Sequence, residues 1–310
     1  LEDERPVVAT IGNFDGIHQG HRLLFSRAQE LSESLEGPAV ALTFAPHPAR
    51  FFRPDGAPAL IDAPRQKLAR LAAAGFAATV VLPFDRDLAE MTPLGFAERI
   101  LRERLGARHV VVGRTFVFGH RRAGDLETLT NLGRELGFVA HGVEPLGDGP
   151  QVISSSRVRE AITSGDMRSA ARWLERPPTL VGVVGTGAGR GRTIGIPTAN
   201  LDPENELMPA NGVYAGYARL LDASTPAAAG ARRWPAVTNI GHAPTFERDR
   251  EVKVEAHLLG FSADIVGQEL ELTLEERLRP EQRFTSKEAL IRQIHHDIER
   301  ARSSLFERQA

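Results

Sequence analysis

Five short apolar runs that alternate with amphipathic stretches constrain the first half of the chain. The runs lie at residues 7–11, 39–44, 79–82, 109–112 and 139–143, with helix-like patterns near residues 22–35, 65–74, 93–105 and 126–136. Short runs rich in Val and Ile are typical of parallel strands that are buried on both faces. The alternation therefore predicts a doubly wound α/β sheet, in which ligands lie beyond the carboxyl ends of the strands.

The pattern changes after a pair of helices, predicted over residues 153–173 with a break at Gly165, and a Pro-rich linker at residues 175–178. Apolar runs then recur at residues 180–184, 213–221, 236–240, 252–259 and 270–274, with turn residues but no helical pattern between them. This spacing predicts a mainly-β barrel. A last helix follows a predicted capping box at Thr285 and Glu288. We therefore predict two domains, residues 1–177 and residues 178–310.

Composition excludes several classes of protein. Residues 1–177 carry 22 basic and 22 acidic side chains and the remainder carries 16 and 18, so a generic nucleic-acid binder is not expected. The chain has no cysteine, which excludes disulfides, thiolate metal sites and cysteine nucleophiles. No apolar stretch approaches the ~18 residues of a membrane span, and residues 1–5 lack the apolar core of a secretion signal. We expect a cytoplasmic protein with no membrane partner.

Lysine is scarce, with only three among the 310 residues. No G-x-x-x-x-G-K-[ST] motif occurs, so phosphate chemistry would have to proceed without a P-loop. We therefore expect nucleotides to be handled without an ammonium group.

Residues 12–21, which read GNFDGIHQGH, directly follow the first predicted strand and open the first helix. Glycines let the backbone approach a ligand, and a helix start attracts anions. His18 and His21 lie three residues apart across this turn, so both imidazoles can point at one phosphate and stabilise charge on phosphorus. The alternative is a pair of surface histidines in a turn.

The H-x-G-H pattern resembles the signature of the nucleotidyltransferase superfamily, and the ten-residue string resembles the bacterial bifunctional riboflavin kinase/FAD synthetase family. TFAPHP at residues 43–48 and VGRTFVFG at residues 112–119 fit the same family, although Thr115 stands where it usually has Asp or Asn. The resemblance implies that nucleotide is bound by residues of the first loop, namely Gly12, Asn13, Phe14 and Gly20. It also implies that Phe44 and Phe118 lie near the flavin, unless both are core phenylalanines.

Residues 153–159, ISSSRVR, resemble the family's I-S-S-T-x-I-R string. Hydroxyls at a helix start together with a guanidinium can form a mobile phosphate clamp. Arg157 and Arg159 are two residues apart and cannot share a helix face, and the resemblance selects Arg159. It assigns Ser154 and Ser155 to the nucleotide, and a plain serine N-cap is the alternative.

A glycine-rich segment, residues 185–192, runs into GIPTAN at residues 195–200. Thr198 and Asn200 are alternate residues, so in an extended chain their side chains share a face, and their oxygens suit Mg²⁺ with bound phosphates. The segment resembles the P-T-A-N motif of riboflavin kinase and implies nucleotide contacts at Gly189 and Gly191. A flexible hairpin is the alternative.

VEAHLL at residues 254–259 places the carboxylate of Glu255 inside an apolar strand run. Such a carboxylate is either exposed on an alternating strand or turned into a site. In the family this position holds the general base that takes the proton of the ribityl hydroxyl. Arg279 would contact the flavin, with a surface arginine as the alternative.

The resemblance implies two reactions, phosphorylation of riboflavin by ATP to FMN and transfer of AMP from ATP to FMN, giving FAD and pyrophosphate. Both would use Mg²⁺, with ATP and flavins as small-molecule substrates or products. Two alternatives remain. One is a riboflavin kinase whose nucleotidyltransferase domain is inactive or uses another substrate, and the other is a non-catalytic flavin-nucleotide sensor. The sequence also leaves a homo-oligomer open.

Overall fold

Two compact units form the structure, a computed structural model that describes residues 6–187, 191, 194–221, 232–242 and 252–306. Unit 1 comprises Leu1–Ala59 and Pro64–Ser154, and unit 2 comprises Leu60–Ala63 and Ser155–Ala310. No helix in the described parts of the chain is long and apolar enough to cross a membrane.

Unit 1 is built on a parallel sheet with the strand order β3-β2-β1-β4-β5. Its strands are β1 (Val7–Ile11), β2 (Ala39–Ala45), β3 (Ala78–Pro83), β4 (Ala107–Gly113) and β5 (Val139–Val143). Every residue of β1 is buried, because Ala9 and Ile11 pack into the core on one face while Val8 packs into the core on the other. The predicted doubly wound α/β sheet is confirmed.

Helices cover both faces of this sheet. They are α1 (Gln19–Ser34), α2 (Pro48–Phe52), α3 (Pro64–Ala73), α4 (Arg86–Glu90), α5 (Pro93–Gly95), which continues as a π-helix (Phe96–Arg104), and α6 (Leu126–Leu136). A short hairpin, β6 (Gly147–Asp148) and β7 (Gln151–Val152), follows β5. The four longer helical segments agree with the predicted ones, whereas α2 and α4 are too short to show a periodic pattern in the sequence.

Unit 2 begins with α7 (Ser155–Ser164) and α8 (Met167–Leu174), which meet at the predicted break. Gly165 adopts a positive φ of 85°, and a Cβ there would come within 2.6 Å of the Arg277 side chain. This helix pair therefore packs with unit 2, whereas the predicted domain boundary at residues 177 and 178 lies after it. That boundary stays a prediction about where the two functions divide.

The barrel consists of six antiparallel strands that close through the pairing of β10 with β11. In chain order they are β8 (Thr179–Gly185), β9 (Ala199–Pro203), β10 (Gly212–Leu221), β11 (Trp234–His242), β12 (Val252–Leu258) and β13 (Glu269–Thr273). The predicted barrel is confirmed. Sequence analysis does not name β9 as a strand, because Leu201 is its only large apolar residue.

A short strand and the last helix complete unit 2. β14 (Glu276–Arg279) pairs with β10, and α9 (Lys287–Phe306) packs Ile298, Ala301 and Leu305 against the outside of the barrel. The N-cap is Ser286, whose hydroxyl accepts the Ala289 N–H at 3.1 Å. The expected Thr285 cap is therefore one residue early.

A buried ion pair ties β14 to α9. The Arg279 guanidinium donates from Nε to both Asp297 oxygens at 3.1 and 2.9 Å, and the Gln293 amide donates to the same carboxylate. The side chains of Arg279 and Asp297 are 12% and 2% exposed, so the pair is largely removed from water.

We expect Asp297→Asn to lower the free energy of unfolding of unit 2 by about 3 kcal/mol, because it leaves a buried guanidinium without its counter-charge. Glu299→Gln is the matched control, since the Glu299–Arg302 pair is largely exposed and contributes about 0–1 kcal/mol. Urea unfolding of the two variants and the parent measures the difference. Equal losses in both variants would contradict the assigned role of the buried pair.

Candidate active sites

The loop after β1, residues 12–21, is called the His loop. It cannot continue as a strand, because Phe14, Gly16 and Ile17 all have positive φ angles of 47°, 86° and 41°. Two of these residues are not glycine, and non-glycine residues rarely adopt this region. The chain therefore turns sharply at the carboxyl end of a central strand, the place where such sheets hold ligands.

The ring of Phe14 lies beneath this loop and is fully buried. It packs edge-on against His21 at 5.4 Å and against Phe25 at 5.0 Å between ring centroids. A Cβ on Gly12 would come within 2.6 Å of the Phe14 ring, so glycine is required there. Of the residues assigned to nucleotide, Phe14 can thus present only its backbone, and Asn13 is the exposed member of this stretch.

His18 and His21 are brought together as expected. Their rings stack with centroids 3.8 Å apart and an interplanar angle of 18°. His18 is the N-cap of α1 and its carbonyl accepts the N–H of His21 at 2.8 Å, so both rings lie at the amino end of a sixteen-residue helix. Gly20 completes the arrangement, since a Cβ there would come within 3.2 Å of the His18 ring.

The protonation of His21 is constrained by its surroundings. Burial, together with the adjacent His18, lowers the pKa of His21 well below its ordinary value of 6.5. Its Nδ1 is buried and has no hydrogen-bond partner among the described residues. A neutral His21 offers an N–H donor at pH 7 rather than a full positive charge.

Phe44 and Phe118 have different surroundings. Phe44, near the end of β2, is partly exposed and lies edge-on to Phe84 at 5.8 Å. Phe84 also contacts Phe51 and Phe52, which are 38% and 62% exposed, so an open aromatic cluster stands at the carboxyl ends of β2 and β3.

Phe118 is instead 7% exposed and packs against Phe96 and Phe116 in the core. Its assignment to the flavin stays a prediction.

Lys67, on α3, places an ammonium group beside the His loop. Its ammonium lies 3.3 Å from the Asn13 carbonyl and 3.3 Å from the Thr43 hydroxyl, so a lysine does stand at the His loop. These contacts are with protein oxygens, so the expectation that the nucleotide is handled without an ammonium group stays a prediction. In sequence, Lys67 is one polar residue of an amphipathic helix, and nothing local distinguishes it.

The serine–arginine string begins where the two units meet in sequence. The Ile153 carbonyl would lie 3.6 Å from a Cβ on Gly20, so the chain next to Ser154 runs beside the His loop. Ser155 and Arg159 belong to α7. The Arg157 guanidinium lies over the Trp173 ring at 4.3 Å, a packing role that agrees with the choice of Arg159 for the ligand. The nucleotide roles of Ser154, Ser155 and Arg159 stay predictions.

In unit 2, strand pairing places Asn200, Glu255 and Asn239 side by side across β9, β12 and β11. We call these three residues the outer polar row. Glu255 alternates with Val254 and Ala256, which are 1% and 0% exposed, so its side chain points away from the barrel interior. The carboxylate thus shares a face with two amides, and Asn239 is a member of this site to which the sequence pattern assigned no role.

Two glycines of the glycine-rich segment that the structure describes, Gly187 and Gly191, lie close to Asn200 and Thr198. A Cβ on Gly187 would overlap the Asn200 amide, and a Cβ on Gly191 would come within 3.2 Å of the Thr198 hydroxyl. Gly189 lies outside the described residues. His257, two residues beyond Glu255, contacts the Pro197 carbonyl through Nδ1 at 2.7 Å and so fixes the turn that precedes Thr198.

The side-chain oxygens at the outer polar row and at Thr198 are suitable ligands for a hard cation. No cluster of three or more His, Cys, Asp or Glu side chains that could hold a metal occurs among the described residues. Hydroxyl, amide and carboxylate oxygens from Thr198, Asn200 and Glu255 are nevertheless the ligand types that Mg²⁺ takes together with substrate phosphates.

Arg279 is committed to Asp297 and to the Pro280 carbonyl, so it is not a surface arginine, and its flavin contact stays a prediction.

Two family models match the chain, FAD synthetase over residues 1–157 and riboflavin kinase over residues 174–305. Together they cover both units. A crystal structure described as a macrolide-efflux protein from Streptococcus pneumoniae has the same fold, with a TM-score of 0.85 and 28% identity over 97% of this chain and 95% of that chain.

Curated relatives match over nearly their whole length. The bifunctional riboflavin kinase/FMN adenylyltransferase of Pseudomonas fluorescens is 36% identical, over 97% of this chain and 94% of the relative. The enzyme with the same description from Bacillus subtilis is 30% identical, over 97% and 93%. With both domain models matched and curated relatives 30% to 36% identical over nearly the whole chain, the chain belongs to the bifunctional riboflavin kinase/FMN adenylyltransferase family.

Proposed function

We propose that unit 1 transfers AMP from ATP to FMN at the His loop and that unit 2 phosphorylates riboflavin at the outer polar row. Membership of the family supports both activities. The observation that carries the assignment of sites is the stacked pair of His18 and His21 at the amino end of α1. It joins a helix-terminus anion site to two ring N–H donors on one small surface.

In the adenylyl transfer, a phosphate oxygen of FMN attacks the α-phosphorus of ATP and pyrophosphate leaves. The nucleophile belongs to the substrate, so the protein supplies alignment and charge stabilisation. His18 and His21 would donate to the phosphate oxygens as charge builds on them. Because His21 is held neutral, its contribution is a hydrogen bond rather than a full positive charge.

The flavin of this step would lie at the aromatic cluster. Phe44, Phe51, Phe52 and Phe84 expose ring surface at the carboxyl ends of β2 and β3, on the same edge of the sheet as the His loop. A planar isoalloxazine stacks on such rings. Phe52 is the most exposed of the four and is therefore the best placed to meet it.

In the kinase step, Glu255 would accept the proton of the ribityl hydroxyl as that oxygen attacks the γ-phosphorus of ATP and ADP leaves. Asn239 and Asn200 lie opposite it on the two neighbouring strands and share its face of the barrel. Thr198 and Asn200 would hold Mg²⁺, which when bound neutralises phosphate charge. Gly187 and Gly191 have no side chains that would keep the nucleotide away from Asn200 and Thr198.

The two alternatives make different predictions for the same assays. A kinase with an inactive first domain forms FMN but no FAD, and a sensor binds flavin nucleotides without forming either.

Thr115, the departure from the family pattern, is exposed in the turn after β4. A cytoplasmic location, the absence of a nucleic-acid or membrane partner and a homo-oligomer stay as predicted from sequence.

We expect His21→Ala to lower the rate of FAD formation from FMN and ATP by about 10²–10³-fold, because it removes a donor to the developing charge. Formation of FMN from riboflavin should change little, since that site lies in unit 2. Both rates can be followed by chromatography of the flavins. Unchanged FAD formation would contradict the assignment of the adenylyl site.

We expect Glu255→Gln to lower the rate of FMN formation by about 10²–10⁴-fold, because the amide keeps the shape but cannot take a proton. FAD formation from supplied FMN serves as the control for folding and should stay near that of the parent. A variant that phosphorylates riboflavin at the parental rate would show that Glu255 is not the base.

The pH dependence of FAD formation tests the protonation of His21. Its pKa is lowered, so the neutral ring is already the dominant form above pH 6.5 and is lost only when the pH falls below the lowered value. We therefore expect kcat/KM for ATP to stay flat from about pH 6.5 to 8, since this parameter reports the free enzyme. A fall of about tenfold per pH unit above 6.5 would instead show that an imidazolium is required.

A further inference from the structure

The ammonium of Lys67 stands where β1 and β2 end. Besides its contacts with the Asn13 carbonyl and the Thr43 hydroxyl, it lies 3.5 Å from the Phe44 carbonyl. An ammonium carries three N–H donors and no acceptor, so each of these three oxygens is a suitable acceptor for it. The Lys67 ammonium thus bridges the His loop at Asn13 and the end of β2 at Thr43 and Phe44.

Those segments lie beyond the end of the backbone pairing between β1 and β2. The pairing of β1 with β2 runs to Ile11 and Leu42, and the Gly12 N–H donates to the Leu42 carbonyl. Past that point the Thr43 hydroxyl donates to the Asn13 carbonyl at 3.2 Å, and Lys67 bonds to both residues. Side chains therefore continue the connection after the backbone ladder stops.

The connection joins the two halves of the reaction site. Asn13 belongs to the His loop, which would hold ATP, and Phe44 belongs to the aromatic cluster, which would hold the flavin. Attack by the FMN phosphate needs the two substrates aligned closely, and a displacement of about 1 Å can cost about 10²-fold in rate.

We propose that Lys67 is a positioning residue for adenylyl transfer, which fixes the His loop relative to the flavin-binding strand end through Asn13, Thr43 and Phe44. The inference rests on the proposed function of unit 1. Lys67 acts through these residues rather than on the reacting atoms. The helix that carries Lys67 is itself anchored by Leu71, which is fully buried in the core.

The test compares Lys67→Met, Lys67→Arg, Thr43→Val and the Lys67→Met/Thr43→Val double variant in FAD formation. Lys67→Met should lower kcat by about 10–100-fold while KM for ATP and for FMN change by less than about threefold, since alignment rather than binding is lost. Lys67→Arg should keep more of the rate. The double variant should be no slower than Lys67→Met, because both changes break one connection.

Controls separate this role from a loss of folding. Riboflavin phosphorylation by the same molecules should match the parent, and assays run well below the first unfolding transition of each variant. Lys287→Met makes the same chemical change at an exposed position in unit 2 and should leave FAD formation unchanged. If Lys67→Met does not fold, Thr43→Val and Lys67→Arg carry the test.

Parental kcat in Lys67→Met, or multiplicative losses in the double variant, would overturn the inference. An equal loss in riboflavin phosphorylation would also overturn it, because the effect would then be global. Failure of the proposed function is a separate result, in which the parent itself forms no FAD.

Discussion

Burial of the Phe14 ring beneath the His loop is the contact on which the first site depends. The ring fills the space below Gly12 and supports His21 edge-on, and His21 in turn stacks on His18. The positive φ angles of Phe14 and Ile17 are strained conformations that persist only because the surrounding packing over-determines them. Apolar burial thereby stabilises a turn that points two imidazoles at the ligand end of the sheet.

In the barrel, the register of strand pairing is what places the residues of the second site. Asn200, Glu255 and Asn239 form a row only because β9, β12 and β11 pair as they do. A slip of one residue in β12 would turn Glu255 into the interior and bring Val254 or Ala256 outward. Burial of those neighbours therefore fixes the face on which the carboxylate stands, and the same barrel surface carries α9 farther along.

Local patterns predicted the strands with continuous apolar runs, the long helices and the loop that holds His18 and His21, because each of these depends on neighbours in sequence. Residues whose role depends on distant contacts were not predictable in this way. Lys67 reaches Asn13 from 54 positions away, Asn239 gains its place through strand pairing, and the ion pair of Arg279 joins a strand to a helix. The N-cap of α9 was predicted one residue too early. Thr285 and Ser286 are both favourable N-cap residues, so the sequence alone does not decide at which of them the helix begins.

The central claim is that one chain carries two separate phosphate-transfer sites that act in sequence. A time course with purified protein, riboflavin, ATP and Mg²⁺, analysed by chromatography, tests it directly. We expect FMN to appear first and then to be converted to FAD, with one pyrophosphate released for each FAD. FMN that accumulates without FAD, or riboflavin that stays unchanged, would contradict it.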